Sequence, residues 1–120
     1  MIEDALRLKL PLNSPRWAEL WHMYGNASDV PARLRKLRRV QTDDRLAEEL
    51  CTLMTGVYHQ HDVTTAAFAV VPHLAELCLA SKLQTCYRYI GCIAKIEVAR
   101  RYHKGLGDKN SVVPKDLAAA

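Results

Sequence analysis

The sequence predicts an all-α fold, a stack of antiparallel helical hairpins with about five helices in a single domain, residues 1–120. Three observations carry that prediction. Apolar residues recur at helical spacing along most of the chain, as at Leu46, Leu50, Leu53 and Val57. Start and stop residues punctuate the apolar runs, among them Ser14-Pro15, Gly25 and Thr42-Asp43-Asp44. No stretch reads as a pair of alternating strands.

The elements follow in order. Residues 1–13 alternate apolar with charged side chains and form a lead-in, extended or frayed. Ser14 caps and Pro15 opens a first helix, because proline's missing N–H costs nothing in the first turn. Trp17, Leu20, Trp21 and Tyr24 stand at i, i+3, i+4 and i+7, and Gly25 ends the helix. A second helix starts at Ser28-Asp29, with Val30, Leu34 and Leu37 on its apolar side. A third opens at Thr42-Asp43-Asp44; Leu46, Leu50, Leu53 and Val57 line one face and Ala47, Cys51, Met54 and Tyr58 the next. After a turn at His61-Asp62, the fourth helix spans Thr64 to Ser81 and is apolar nearly all round, which places it mid-core. Pro72 inside it predicts a kink. The fifth helix runs from Lys82 to Lys104 on a stripe of Leu83, Cys86, Tyr87, Ile90, Ile93 and Ala94. Gly105 and Gly107 end it, and residues 106–120 form a loose tail.

Composition narrows the function classes. The hydrophobic fraction is 49% and the charged fraction 25%, which suits a small globular core. A net charge of +4 permits an acidic or nucleic-acid partner without requiring one. The longest apolar run, Ala66 to Val71, is far short of the ~20 residues a membrane span needs. Cys51, Cys78, Cys86 and Cys92 lack C-x-x-C spacing, and no signal pattern precedes them, so reduced thiols in the cytoplasm are expected. No cofactor is implied.

Val30-Pro31, Val71-Pro72 and Val113-Pro114 recur at spacings of 41 and 42 residues, each followed by leucine at helical spacing. That period fits two-helix HEAT or armadillo repeats; equally, Val-Pro can simply mark helix starts. In the repeat reading the third copy is cut short. A repeat cannot bury its own apolar face, so the protein is expected to self-associate, as a dimer, through its C-terminal half.

Three constellations could carry chemistry. His59, Gln60, His61 and Asp62 cluster at a turn and His73 follows on the next helix; imidazoles suit a metal or acid–base work, but no H-E-x-x-H spacing is present and no metal is assigned. The plainer reading makes His59 and Gln60 helix caps and His73 a buried, hydrogen-bonded histidine. Arg33, Arg35, Lys36, Arg38 and Arg39 give a basic helix face able to grip phosphates. Interleaved aromatics are missing there, and acidic residues stand nearby, so a solvated face is the plainer reading. Trp17, Trp21 and Tyr24 read as core anchors rather than a ligand box.

The run from Val57-Tyr58-His59-Gln60-His61-Asp62-Val63 through Ala66-Ala67-Phe68-Ala69-Val70-Val71-Pro72-His73-Leu74 resembles a group of bacterial HEAT-like helical-repeat proteins. Those carry a Leu-Cys-His-Gln-Gly turn before an Ala-Ser-Tyr-Ala-Ala-Val-Pro-His-Leu helix. The stretches Pro11 to Trp17 and Tyr24 to Pro31 are similar too, so the resemblance covers about two thirds of the chain. It departs at Tyr58, His61 and Thr64, and the relatives continue past the Val113-Pro114 segment. It implies a helical-repeat fold, a bacterial setting that includes mobile gene cassettes, and no catalytic residues. The function expected is therefore a non-enzymatic scaffold binding a protein partner or itself. The alternatives are a nucleic-acid-binding module on the Arg33–Arg39 helix and, more remotely, a metal-dependent enzyme around His59 and His73.

Overall fold

A computed structural model describes residues 9–59 and 62–102. Among them are four α-helices: α1 Val30–Arg39, α2 Asp43–Val57, α3 Thr65–Ala80 and α4 Leu83–Tyr102. Two short antiparallel strand pairs accompany them, β1 Trp21–His22 with β2 Gly25–Asn26, and β3 Tyr58–His59 with β4 Asp62–Val63. The all-α class holds, but there are four α-helices among the described residues where about five were expected, because the predicted first helix is absent, and two short strand pairs are present where none was expected. The first eight residues, the stop at Gly105 and Gly107, the 106–120 tail and Val113-Pro114 lie outside the described residues.

The correction falls on residues 14–26. Ser14 caps as expected, its hydroxyl accepting the Arg16 N–H at 3.2 Å, but the helix is a 3-10 turn of five residues, Pro15–Glu19. The chain then becomes extended at Leu20 and turns through Met23 and Tyr24 as a hairpin. Gly25 takes φ +142°, a value that L side chains rarely adopt. Backbone donors that a helix would use internally are engaged elsewhere. The Trp21 N–H donates to Thr65 Oγ1 at 2.7 Å, and the Met23 N–H to the Gly56 carbonyl at 2.8 Å. The Tyr24 N–H donates to His22 Nδ1 at 3.0 Å. Tertiary hydrogen bonds thus override a side-chain pattern with helical period. Trp17 remains a core anchor; Trp21 is half-buried, and Tyr24 stands 72% exposed.

The other starts follow local chemistry. The Asn26 side chain accepts the Ser28 N–H, forming a second 3-10 turn, Ala27–Asp29, that feeds α1. Pro31 sits in the first turn of α1, and Val30, Leu34 and Leu37 are buried, as their spacing predicts. Thr42 Oγ1 accepts the Arg45 N–H at 3.3 Å and caps α2, with Asp43 and Asp44 at the positive end of its dipole. Leu46, Leu50, Leu53, Met54 and Val57 are buried, whereas Cys51 faces solvent.

Helix α3 occupies the centre. Ala66, Ala67, Ala69, Val70, Pro72, His73 and Leu74 are all buried, and α1, α2, α4 and β1 each pack on it. Its entry is pinned by Thr64, whose N–H and hydroxyl both donate to the Val57 carbonyl. The helix runs through Pro72 as one element. Val30-Pro31 therefore opens a helix whereas Val71-Pro72 lies within one.

Helix α4 lies against α3 and α2. It buries Tyr89, Ile96 and Ala99, with Cys92 and Ile93 half-buried beside them. The predicted stripe is mostly on the other side: Leu83 is 89% exposed and Tyr87 58%. A bidentate ion pair orients the helix, Arg88 Nε and Nη2 donating to the two Asp43 oxygens at 2.6 Å each.

Leu20 is buried and Tyr24 is exposed. Leu20→Ala is therefore expected to cost about 2–5 kcal/mol in urea unfolding, and Tyr24→Ala less than about 0.5 kcal/mol. Equal losses at the two positions would instead fit one amphipathic helix through both.

Candidate interaction surface

The polar cluster does not assemble as a site among the described residues. The backbones of His59 and Asp62 pair across β3 and β4. Gln60, His61 and the side chains of His59 and Asp62 lie outside the described residues. His73 is placed on the inner side of α3, where its Nε2–H donates to the Leu10 carbonyl at 2.7 Å. Its ring lies 5.8 Å from that of Trp17, whose indole N–H donates to the Pro11 carbonyl at 2.8 Å. The lead-in is thus held to the core by two ring N–H donors. Burial pushes the His73 pKa down, and the Lys9 and Arg38 cations add to that against the opposing Leu10 bond and Glu76. The ring is neutral and structural. No group of three or more His, Cys, Asp or Glu among the described residues is placed to hold a metal.

A second histidine was not singled out from the sequence. Buried His22 accepts the Tyr24 N–H at Nδ1, and its Nε2–H donates to Asp29 Oδ1 at 2.8 Å. Thr52, Thr55 and Arg33 stand around the same cleft of about 260 Å³. Both ring nitrogens are engaged, so neither is free to ligate a metal or take up a substrate proton. His22 ties the β1–β2 hairpin to the start of α1. Its signal, an aspartate seven residues on, was masked by the helical period of Trp17, Trp21 and Tyr24.

The basic helix is partly neutralised. Arg33 faces Asp29 at 3.8 Å, Lys36 faces Glu49 at 3.7 Å, and Arg38 binds Glu76 at 2.5 Å. Lys9 contacts the same glutamate. Arg35 and Arg39 are exposed without an acidic partner among the described residues. The shallow depression beside Lys36, Arg39 and Arg45 is lined by no aromatic side chain, so it lacks a platform for bases.

The cysteines occupy two places. Cys78 at the end of α3 and Cys86 near the start of α4 have sulfurs 2.6 Å apart. Burial and the bond to Cys86 push the Cys78 thiol up to about 11, so it is protonated at neutral pH and a poor nucleophile. Cys51 and Cys92 border a groove of about 550 Å³ between α2 and α4, with Met54, Tyr58 and Tyr87 along its walls. Burial raises the Cys92 thiol as well.

The feature that stands apart is the outer side of α4. Leu83, Tyr87, Ile90 and Val98 are all more than half exposed, and Ala94 and Gly91 are exposed among them. At about 100° per residue they occupy one arc of the helix, and Tyr89, Cys92, Ile96 and Ala99 occupy the opposite arc. Leu79, in the last turn of α3, is also exposed, at 64%. Lys95 borders the arc on one side and Glu97 on the other, and Arg101 stands on the arc itself, one turn beyond Val98. No family model matches the chain, and neither does any curated protein or solved structure.

The buried histidine sets a pH dependence. The His73 pKa in the folded state lies below its ordinary 6.5, so the unfolded chain binds the proton more tightly. Stability should be complete above about pH 6.5 and fall as pH drops, by at most ~1.4 kcal/mol per pH unit. Glu76, held below its ordinary 4.5 first by its bond to Lys9, adds a second loss at lower pH. Urea unfolding from pH 8 to 4 checks this: His73→Gln should flatten the upper segment, and an unchanged slope would show that His73 does not set it.

Proposed function

We propose that this protein is a non-enzymatic interaction protein, a small helical scaffold whose working surface is the outer side of α4. One observation carries the reading: α4 is apolar on two opposite sides, and among the described residues only one of them is covered. A helix side that is apolar is ordinarily turned inward, as most of α3 is here. The surface calls for an apolar partner surface, on another protein or on a second copy.

The described arrangement supports treating the two helical hairpins as a short HEAT-like array. Short connections make α1 and α2, then α3 and α4, antiparallel neighbours. In arrays of this kind each unit leaves an apolar side for the next, and an end unit needs a cap. A bacterial, cytoplasmic setting belongs to the same reading, through the resemblance of the Val57–Leu74 segment.

The competing readings are weaker on specific grounds. Phosphate binding by Arg33, Arg35, Lys36, Arg38 and Arg39 has to compete with the carboxylates of Asp29, Glu49 and Glu76. Metal chemistry at His73 would require breaking its bond to Leu10 inside the core.

The test compares Ile90→Asp with Arg35→Ala in the full chain. Ile90 is 55% exposed, so both variants should fold within about 0.5 kcal/mol of the parent. Complexes recovered from host extract or formed by the protein itself, measured by light scattering on a sizing column, should vanish with Ile90→Asp and persist with Arg35→Ala. Complexes that survive Ile90→Asp and are lost with Arg35→Ala and added salt would move the function to the basic helix.

A further inference from the structure

We infer that Cys78 and Cys86 form a reversible thiol–disulfide pair, a clasp at the corner where α3 turns into α4 that closes by exchange with a low-molecular-weight disulfide. Local hydrogen bonds fix the backbone on both sides of that corner. The Cys78 carbonyl accepts the Ser81 N–H at 3.1 Å and the Ser81 hydroxyl at 2.7 Å, where α3 ends. The Cys86 N–H donates to the Lys82 carbonyl at 3.1 Å in the first turn of α4. The two cysteines, eight residues apart, are thereby turned toward each other. The Cys78 Sγ reaches the Cys86 carbonyl at 3.7 Å and the Cys86 Sγ at 2.6 Å. A disulfide spans about 2.05 Å, so a side-chain shift of about 0.5 Å from 2.6 Å closes the bond. Both are free thiols and both are half-buried, which leaves them open to a small disulfide.

The spacing separates this reading from metal binding. A tetrahedral zinc ion stands about 2.3 Å from each thiolate and holds the two sulfurs roughly 3.8 Å apart. Sulfurs at 2.6 Å leave no room for it. Among the described residues, no third His, Cys, Asp or Glu joins the pair to hold an ion. The position says what closure does. Ala80, Ser81, Lys82 and Thr85 lie between the two cysteines and help to line a cavity of about 750 Å³, which Leu37 and Arg38 of α1 line as well. A bond across the corner fixes that wall in one redox state and releases it in the other.

Burial and the bond to Cys86 hold the Cys78 thiol protonated at neutral pH, so the first attack falls to Cys86. The Cys86 thiolate attacks one sulfur of the external disulfide, forms a mixed disulfide and expels one thiolate. Cys78 then gives up its proton and attacks Cys86 Sγ, expelling the second. One S–S bond forms within the chain and one external S–S bond breaks. The protein loses two electrons and two protons, and the external disulfide takes them up as two thiols.

The test equilibrates the full chain with mixtures of oxidised and reduced glutathione, then applies alkylation, peptide mapping and thermal unfolding. The expected product carries a Cys78–Cys86 disulfide with Cys51 and Cys92 alkylated, and dithiothreitol returns all four thiols. Closing this loop should raise the unfolding temperature by about 5 °C or more. In Cys78→Ser a mixed disulfide with glutathione should accumulate at Cys86, because the resolving sulfur is gone. Cys86→Ser should take up glutathione at Cys78 far more slowly. Cys78 and Cys86 that both stay alkylated in the most oxidising mixture, or that carry glutathione without bonding to each other, overturn the pair. A disulfide that takes Cys51 or Cys92 instead overturns the assignment. A Cys78–Cys86 bond that leaves the unfolding temperature unchanged overturns the clasp, and equal uptake in the two serine variants overturns the order of attack.

Discussion

Helix α3 imposes the constraint from which the rest of the fold follows. With Ala66, Ala67, Val70 and Leu74 fully buried and apolar residues on nearly every side, it is stable only when surrounded. Helices α1, α2 and α4 and the β1 strand supply the walls. The small side chains at 66, 67 and 69 let those walls come close. The large ones that fill the space, Trp17, Leu34, Leu53 and Ile96, arrive from the surrounding elements. Each neighbour therefore needs one apolar side, and each has one. Among the described residues, α4 carries a second apolar side, which is exposed.

Polar groups inside this core act as clips between segments far apart in sequence. His73 holds Leu10, Thr64 holds the Val57 carbonyl, Thr65 takes the Trp21 N–H, and His22 joins the hairpin to Asp29. A buried donor or acceptor without a partner is costly, so these bonds select one packing from several that apolar contact alone would allow. They also account for two histidines: His73, which the sequence offered for chemistry, and His22, which it did not single out, both hold the chain in place.

The sequence was legible where local signals and burial agree. Thr42 capping, Pro31 in a first turn, the Leu46–Val57 stripe and the apolar length of α3 all set elements that formed as read. It was illegible where the deciding interaction is long-range. The 17–24 segment has helical period, but Thr65 and Gly56 take its N–H groups from more than thirty residues away. In α4 the periodicity held two answers at once, because Leu83, Tyr87 and Ile90 make as good a stripe as Tyr89, Ile96 and Ala99. Only packing against α3 selects between them, and it selects the second. The self-association expected of the C-terminal half rests on a different argument, a truncated repeat, whose third copy lies outside the described residues.

Tyr87 and Tyr89 sit two residues apart on opposite sides of α4, 58% and 4% exposed, and Tyr24 is an exposed tyrosine far from that helix in sequence. Hydroxyl-radical footprinting of the three side chains, in the dilute protein alone and in the complexes it forms, addresses the two-sided character of α4 directly. The expected result is rapid labelling of Tyr87 when dilute, falling toward the slow rate of Tyr89 in the complexes, with Tyr24 unchanged. A Tyr87 rate that stays as high in the complexes as in dilute protein would contradict an outer face closed by a partner. A Tyr87 rate as slow as that of Tyr89 even when dilute would contradict the exposed face itself.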